Sequence, residues 1–184
     1  MAGYGHVAVG MVAGRLHSES TRRPAALCVL LFGTLAMLPD FDVIPLAFGL
    51  PDQGLWGHRG ISHTPLMALA VGLLVTALAC RRDRHPLRLG LAVALVVATH
   101  CVLDALAQEG RGMMFFWPFS DHRYHFPWRP IPDAPRGLAY FTGIGLRHFA
   151  VELLYFFPFT LYALRPRGLG LAVQRTLARM TRPG

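Results

Sequence analysis

The sequence predicts an all-α protein, a polytopic bundle of about four to five helices that crosses a membrane. Hydrophobic residues make up 53% of the 184-residue chain, charged residues only 15%, and the mean hydropathy is +0.40. An ordinary soluble domain carries about 25% charged residues. The alternative is a soluble bundle with buried helices, because several apolar stretches are shorter than the roughly 20 residues that cross a bilayer.

Five apolar stretches define the helices in chain order. They cover residues 3–16, 24–39, 65–80, 89–107 and 137–164. Thr64 and Pro65 are suited to cap and begin the third helix, and Pro39 should end or bend the second. Gly10 and Gly14 lie four residues apart in the first stretch, a spacing that lets another helix approach closely.

The remaining segments complete a single domain, expected to cover residues 1–184. Its helical core is assigned to residues 1–165 and a basic tail to residues 166–184. The connection over residues 108–136 is rich in glycine, proline and aromatic residues. We predict one long ordered loop there, and loops of that length in compact proteins are usually functional.

The distribution of charge predicts how the helices are oriented. All 18 basic residues are arginines, the net charge is +8, and the arginines cluster at 22–23, at 81–88 and in the tail. Such clusters beside apolar segments fit a lipid bilayer as partner, and no pattern of a nucleic-acid reader is present. If the clusters face the cytoplasm, the helices alternate without conflict, and eight of the ten acidic residues fall on the outer side.

The acidic residues and histidines of that outer side suggest a metal site. Asp40 and Asp42 follow the second helix, and His100 and Asp104 lie one turn apart on one face of the fourth. Imidazole and carboxylate are zinc ligands, and a divalent ion satisfies both in an apolar setting. In an extended segment Asp40 and Asp42 would point the same way, so one could bind the ion while the other orients a ligating imidazole. The alternative for the helical pair is a polar contact between packed helices.

A short loop adds two histidines and an arginine. His58 and His63 flank Arg59 and Gly60. Arginine offers a planar fork suited to phosphate oxygens, and glycine lets the backbone approach a bound group. One histidine is expected to bind metal and the other to orient it or act as an acid, and the spacing leaves open which does which.

Further candidate ligands indicate more than one ion. His148 and Glu152 form a second pair four residues apart, which His122 or His125 of the long loop could complete. His6 is a candidate at the outer end of the first helix. The alternative for the two loop histidines is exposure to solvent beside aromatic residues.

Several of these motifs together resemble the YdjM family of bacterial inner-membrane, metal-dependent hydrolases. The matching segments are Gly5-His6, Leu38 to Asp42, Gly57 to Thr64, His100 to Asp104 and Trp117 to Arg123. The resemblance covers residues 5 to about 132 and implies a multi-pass protein of the inner (cytoplasmic) membrane. The order of the ligands is also distantly similar to that of zinc-dependent bacterial phospholipases C and single-strand nucleases, all-α enzymes with three zinc ions.

These observations predict a membrane-bound hydrolase with a divalent metal, expected to be zinc and in more than one copy. Metal-activated water would attack a phosphoester of a phospholipid or a lipid-linked phosphate, and Arg59 would neutralise a phosphate oxygen. The competing interpretation is a non-catalytic metal-binding membrane protein, either an ion carrier or a scaffold for a partner. A carrier needs ionisable residues along a path through the bilayer, whereas here they gather at one side.

Overall fold

The computed structural model describes residues 3–49, 52, 54–108, 110–132 and 140–166. Six α-helices run in the order α1 (Tyr4–Thr21), α2 (Ala25–Leu35), α3 (Ile44–Ala47), α4 (Pro65–Ala79), α5 (Pro86–Ala105) and α6 (Gly143–Leu164). Leu38–Val43 and Ile61–His63 are short 3-10 helices. The described residues contain no β-strand beyond two isolated bridges, so the all-α prediction is confirmed. Residues 167–184 of the predicted basic tail lie outside the described residues.

The five long helices alternate in direction, and this gives the bundle two different ends. The chief packing contacts join α1 to α2, α1 to α6, and α4 to α5. At one end, here called the site end, α1, α4 and α6 begin while α2 and α5 finish. The opposite end, here called the arginine end, brings Arg23 within 2.6 Å of Asp83 and Arg165 within 3.0 Å of Glu19. The predicted alternation of the helices therefore agrees with the structure.

Several helices have the length and composition needed to cross a membrane. Helices α5 and α6 qualify individually, and α2 forms a third candidate with Leu38–Leu46 if that pair, bent by 45°, is one span. Helix α4 is apolar but shorter. Large side chains along α4 and α5 are exposed, among them Leu69, Leu73, Leu74, Leu78, Leu91 and Leu95. Such a surface is unfavourable in water and suits contact with lipid chains.

The segment that carries Asp40 and Asp42 lies at the site end, between the end of α2 and the start of α4. Helix α2 stops four residues before Pro39, and Leu38–Val43 continues as a 3-10 helix. The side chains of Asp40 and Asp42 therefore do not share one direction, as they would in an extended segment, because a 3-10 helix turns by about 120° per residue. On the other side of the site, Thr64 accepts a hydrogen bond from the Met67 amide, which confirms the predicted start of α4.

Close packing of α1 on α2 confirms the prediction made from Gly10 and Gly14. A Cβ atom at Gly14 would overlap the carbonyl group of Cys28, and one at Gly10 would approach Phe32 O to 2.5 Å. The two backbones are thus in direct contact. This contact fixes the site-end termini of α1 and α2 beside each other.

We expect Gly14→Leu to lower the thermal midpoint of unfolding of the detergent-purified protein, because overpacking at a tight contact costs about 1–3 kcal/mol. Gly143→Leu is the matched control, since no atom lies within 4 Å of a Cβ placed at Gly143. Circular dichroism during heating measures both variants. An equal midpoint for Gly14→Leu and the wild type would show that α1 and α2 can separate without cost.

Candidate metal centre

Four of the predicted ligands meet in one cluster at the site end, in which three side chains are buried and that of Asp40 is 23% exposed. Asp40, His63, His100 and Asp104 each offer one donor atom, and these four atoms lie within 4.8 Å of one another. They come from three segments: the 3-10 helix after α2, the turn before α4, and the last turn of α5. Both histidine side chains are 0% exposed and that of Asp104 is 2% exposed.

Four of the distances between the donor atoms are close to those around a single zinc ion. Asp40 Oδ1 is 3.3 Å from His63 Nε2 and 3.2 Å from His100 Nε2. Asp104 Oδ2 is 3.6 Å from His63 Nε2 and 3.9 Å from His100 Nε2. Ligand atoms held about 2.0–2.1 Å from a tetrahedral zinc ion are roughly 3.3–3.4 Å apart. The four donors are thus close enough together to bind one ion, with each carboxylate oxygen next to both imidazole nitrogens.

The outer nitrogens of the two imidazoles are fixed by hydrogen bonds that leave the inner ones available. His100 Nδ1 is 2.7 Å from the carbonyl oxygen of Ala36, which can only accept, so this nitrogen carries the proton. His63 Nδ1 lies 3.0 Å from the Ser62 hydroxyl oxygen, whose proton is donated to Asp42, and 3.1 Å from Asp42 Oδ2, so this nitrogen also carries the proton. In the neutral rings both Nε2 lone pairs then face carboxylate oxygens. A cation between them, either a proton or a metal ion, removes that repulsion.

The electrostatic environment of His63 favours positive charge at this place. Burial alone would lower the pKa of the imidazole, but the hydrogen bonds to Asp40 and Asp42 and the charge of Asp104 outweigh burial and raise the pKa to about 9. The carboxylates around His63 therefore stabilise a cation. Metal binding would replace the proton, because an imidazole ligand must be deprotonated.

Asp104 connects the donor cluster to His6 and Arg59. Its Oδ1 is 3.4 Å from His6 Nε2, and its Oδ2 is 3.2 Å from Arg59 Nε. The His6 ring stacks on that of His100 with centroids 3.6 Å apart and an interplanar angle of 7°. His6 therefore borders the cluster through Asp104 without belonging to the group of four.

Arg59 is held in place by backbone contacts that its own motif does not reveal. It is 4% exposed and has a left-handed φ of 62°. Arg123 donates to its carbonyl oxygen at 2.7 Å. Gly110 has a φ of 102°, which favours glycine, and a Cβ atom there would also overlap the Arg59 guanidinium where the long loop crosses this side chain. The loop thereby fixes the arginine, and Met113 pairs with Tyr124 within it.

A second group of donors shares His63 with the first. It contains Asp42, His58 and His63, and Asp42 Oδ1 lies 2.8 Å from His58 Nδ1. Asp42 also accepts a hydrogen bond from the Ser62 hydroxyl. A carboxylate that receives these hydrogen bonds is suited to orient His63 and His58. His63 thus belongs to both groups and His58 to the second alone, and which of them binds an ion stays a prediction.

The remaining candidate ligands lie apart from these groups. His122 is exposed and packs against Tyr124, and His125 Nε2 lies 3.0 Å from the carbonyl oxygen of Gly110. Glu152 is 1% exposed within α6. Within the described part of the chain, the structure gathers neither His148 nor Glu152 with the loop histidines into a group of three donors. The binding of a second ion there stays a prediction.

The helices and this cluster define the class of the protein. It is a helical membrane protein with a group of side chains that could hold a metal ion. The chain belongs to the family of YdjM inner membrane proteins, whose model matches residues 1–173. The inner membrane protein YbcI of Escherichia coli strain K12 is 38% identical over 109 residues, which make up 59% of this chain. The match covers 63% of that relative, less than two thirds of its length. No solved structure was found to match. The family resemblance predicted from the sequence is confirmed.

Proposed function

We propose that the protein is a metal-dependent hydrolase of the inner membrane that cleaves a phosphoester of a phospholipid or of another lipid-linked phosphate. The observation that carries this proposal is the buried group of Asp40, His63, His100 and Asp104, with the guanidinium of Arg59 3.2 Å from Asp104. Two imidazole and two carboxylate donors beside a buried arginine suit a metal ion and a phosphate group together.

Zinc is the ion that we propose for this cage. Two imidazoles and two carboxylates form a mixed donor set of the kind zinc accepts, whereas magnesium and calcium prefer oxygen alone. A divalent ion held by these four donors would have to accept a fifth ligand to bind water, and it would then lower the pKa of that water molecule and polarise a phosphoryl oxygen. Asp42 contributes by fixing the tautomer and the orientation of His63.

The protein groups around the cage suit hydrolysis of an ester. Hydrolysis forms a bond from a water oxygen to phosphorus and breaks the bond to the ester oxygen, which must gain a proton. His58 is held by Asp42 through Nδ1, and its ring centroid is 5.1 Å from that of His63. We assign His58 as the acid that protonates the leaving alcohol. Arg59 would bind a non-bridging phosphate oxygen.

A group of arginines at the site end supports an anionic substrate. Burial lowers the pKa of Arg123, and the positive charges of Arg111 and Arg59 lower it further. Three arginines therefore crowd one another beside the donor cluster, although Arg111 is paired with Asp52 at 2.7 Å. A phosphate oxygen placed among them would relieve this repulsion.

Exposed aromatic residues support a substrate at the membrane surface. They lie in the segments that connect helices at the site end, and the most exposed are Phe48, Trp56, Phe119, Trp128 and Phe141. Aromatic side chains are typical of the interface between lipid headgroups and hydrocarbon. We infer that the donor cluster lies at the depth of the headgroups, where a phospholipid phosphate is within reach.

Removing one donor tests the site directly. We expect His100→Ala or Asp104→Ala to abolish hydrolysis of lipid phosphoesters and to lower bound zinc, measured by elemental analysis of the purified protein. Asp42→Asn keeps all four donors but loosens His63, so zinc affinity should fall about 10- to 100-fold. Asp121→Asn is the control, because Asp121 is exposed and lies outside both donor groups.

Two outcomes would contradict this proposal in different ways. Unchanged zinc content in both donor variants would mean that the cluster is a packed polar contact. Zinc bound by the wild type, with no hydrolysis across a screen of lipid phosphoesters, would favour the non-catalytic metal-binding alternative.

The orientation of the site is a separate prediction. The positive-inside rule places the arginine end in the cytoplasm and the donor cluster on the outer side. In a background without native cysteines, a cysteine at position 56 should react with an impermeant reagent in intact cells, and one at position 84 only after permeabilisation. The reverse pattern would place the site in the cytoplasm and remove the argument for an outer-leaflet substrate.

The second ion also remains open to measurement. Glu152 is 1% exposed and lies four residues after His148, a spacing that lets both side chains face one ion. If His148 and Glu152 hold an ion, elemental analysis should find more than one metal per chain, and Glu152→Gln should lose about one ion together with activity. A wild type with a single ion, or a Glu152→Gln variant with the full complement, would reduce the site to the four donors.

A further inference from the structure

A basic cavity lies at the arginine end, on the opposite side of the bundle from the donor cluster. Its volume is about 400 Å³, and its lining includes Arg22, Arg23, Arg82, Arg84, Arg88 and His17. The arginines come from three places: the turn between α1 and α2, the connection between α4 and α5, and the first turn of α5. Three separate segments thus direct positive charge into one cavity.

The cavity holds far more positive than negative charge. Its one acidic lining residue is Asp83, which is paired with Arg23 and accepts a hydrogen bond from the His85 amide. Among the described residues, no carboxylate forms an ion pair with the other four lining arginines. Like charges at such short range repel one another, and an anion bound among them would remove that repulsion.

His17 provides a second and independent indication of a ligand. Its side chain is 8% exposed, and its ring packs against Phe32. The Nε2 atom is buried and has no hydrogen-bond partner within the described part of the chain. A buried polar atom without a partner is costly. Because His17 lines the cavity, an oxygen of a bound anion could supply that partner.

An apolar groove continues from the cavity and indicates which kind of molecule bears the anionic group. This groove, of about 320 Å³, shares Arg23, Arg82, Asp83 and Leu89 with the basic cavity. It is otherwise lined by Val75, Leu78 and Ala79 at the end of α4. A charged cavity joined to an apolar groove at the end of an apolar helix matches the amphiphilic shape of a phospholipid better than that of a free anion.

We propose that the arginine end binds one anionic phospholipid, with its headgroup phosphate in the basic cavity and an acyl chain in the groove of Val75, Leu78 and Ala79. This lipid site lies away from the donor cluster and does not depend on hydrolysis. It differs from general attraction of arginines to a charged membrane, because a built cavity requires particular arginines and a surface field does not.

Two neighbouring arginines provide a matched test. Arg81 and Arg82 are both exposed in the connection between α4 and α5, but only Arg82 lines the cavity and the groove. The full-length protein is titrated in detergent with phosphatidylglycerol or phosphatidylcholine, and bound lipid is counted by native mass spectrometry. We expect one phosphatidylglycerol bound in preference to phosphatidylcholine, about tenfold weaker binding in Arg82→Gln, and wild-type binding in Arg81→Gln.

A second pair of variants separates a lipid from a free phosphate. Leu78→Ser should weaken binding of phosphatidylglycerol, whereas Leu91→Ser, on an exposed part of α5 outside the groove, should not. Inorganic phosphate should not displace the lipid at millimolar concentration. Equal loss in Arg81→Gln and Arg82→Gln would show a diffuse surface effect and overturn the proposal. Wild-type binding of phosphatidylglycerol by Arg82→Gln would also overturn the proposal. Displacement of the lipid by phosphate, together with unchanged lipid binding by Leu78→Ser, would overturn it as well.

Discussion

The arrangement of the site end depends on one constraint, which is that buried carboxylates face imidazole lone pairs. Ala36 O and Asp42 hold the protonated nitrogens of His100 and His63, so the other nitrogens turn toward Asp40 and Asp104. In an apolar setting this arrangement is unfavourable without a cation. Four elements contribute to it: the close contact of α1 on α2, the bend after α2, the cap of α4 and the last turn of α5.

The same alternation of helices gives the two ends different charged residues. Most carboxylates and histidines lie at the site end together with Arg59, Arg111 and Arg123, whereas arginines predominate at the other end. Charges of like sign thereby converge from segments far apart in the chain, as Asp40 and Asp104 do at one end and Arg22 and Arg88 do at the other. Bound counterions or ligands would lower the energy of these converging charges.

Sequence patterns predicted the helices and the four donors because each has a local signal. Pro39, the Thr64-Pro65 cap and the four-residue spacing of His100 and Asp104 act within one or two turns. The sequence did not reveal which place His63 and His58 each take in the site. Those places depend on a 3-10 helix, which turns Asp42 away from Asp40. Backbone partners leave no signature either, so the Ala36 carbonyl and the crossing of Gly110 over Arg59 were missed. Arg123, far along the chain, became meaningful only when the long loop was seen to fold onto Arg59.

The charge of the site suggests why Arg59 lies so close to a carboxylate of the proposed metal site. Asp40, Asp42 and Asp104 carry three negative charges, and Arg59 and Arg123 carry two positive ones, so with neutral imidazoles the group without an ion is negative by one charge. A divalent ion would reverse the sign and leave the group positive by one. A phosphodiester carries a single negative charge, so its binding would then bring the group to neutrality. Arg59, next to Asp104, thus slightly opposes the binding of a cation. Once the cation is present, Arg59 favours the binding of an anionic ester.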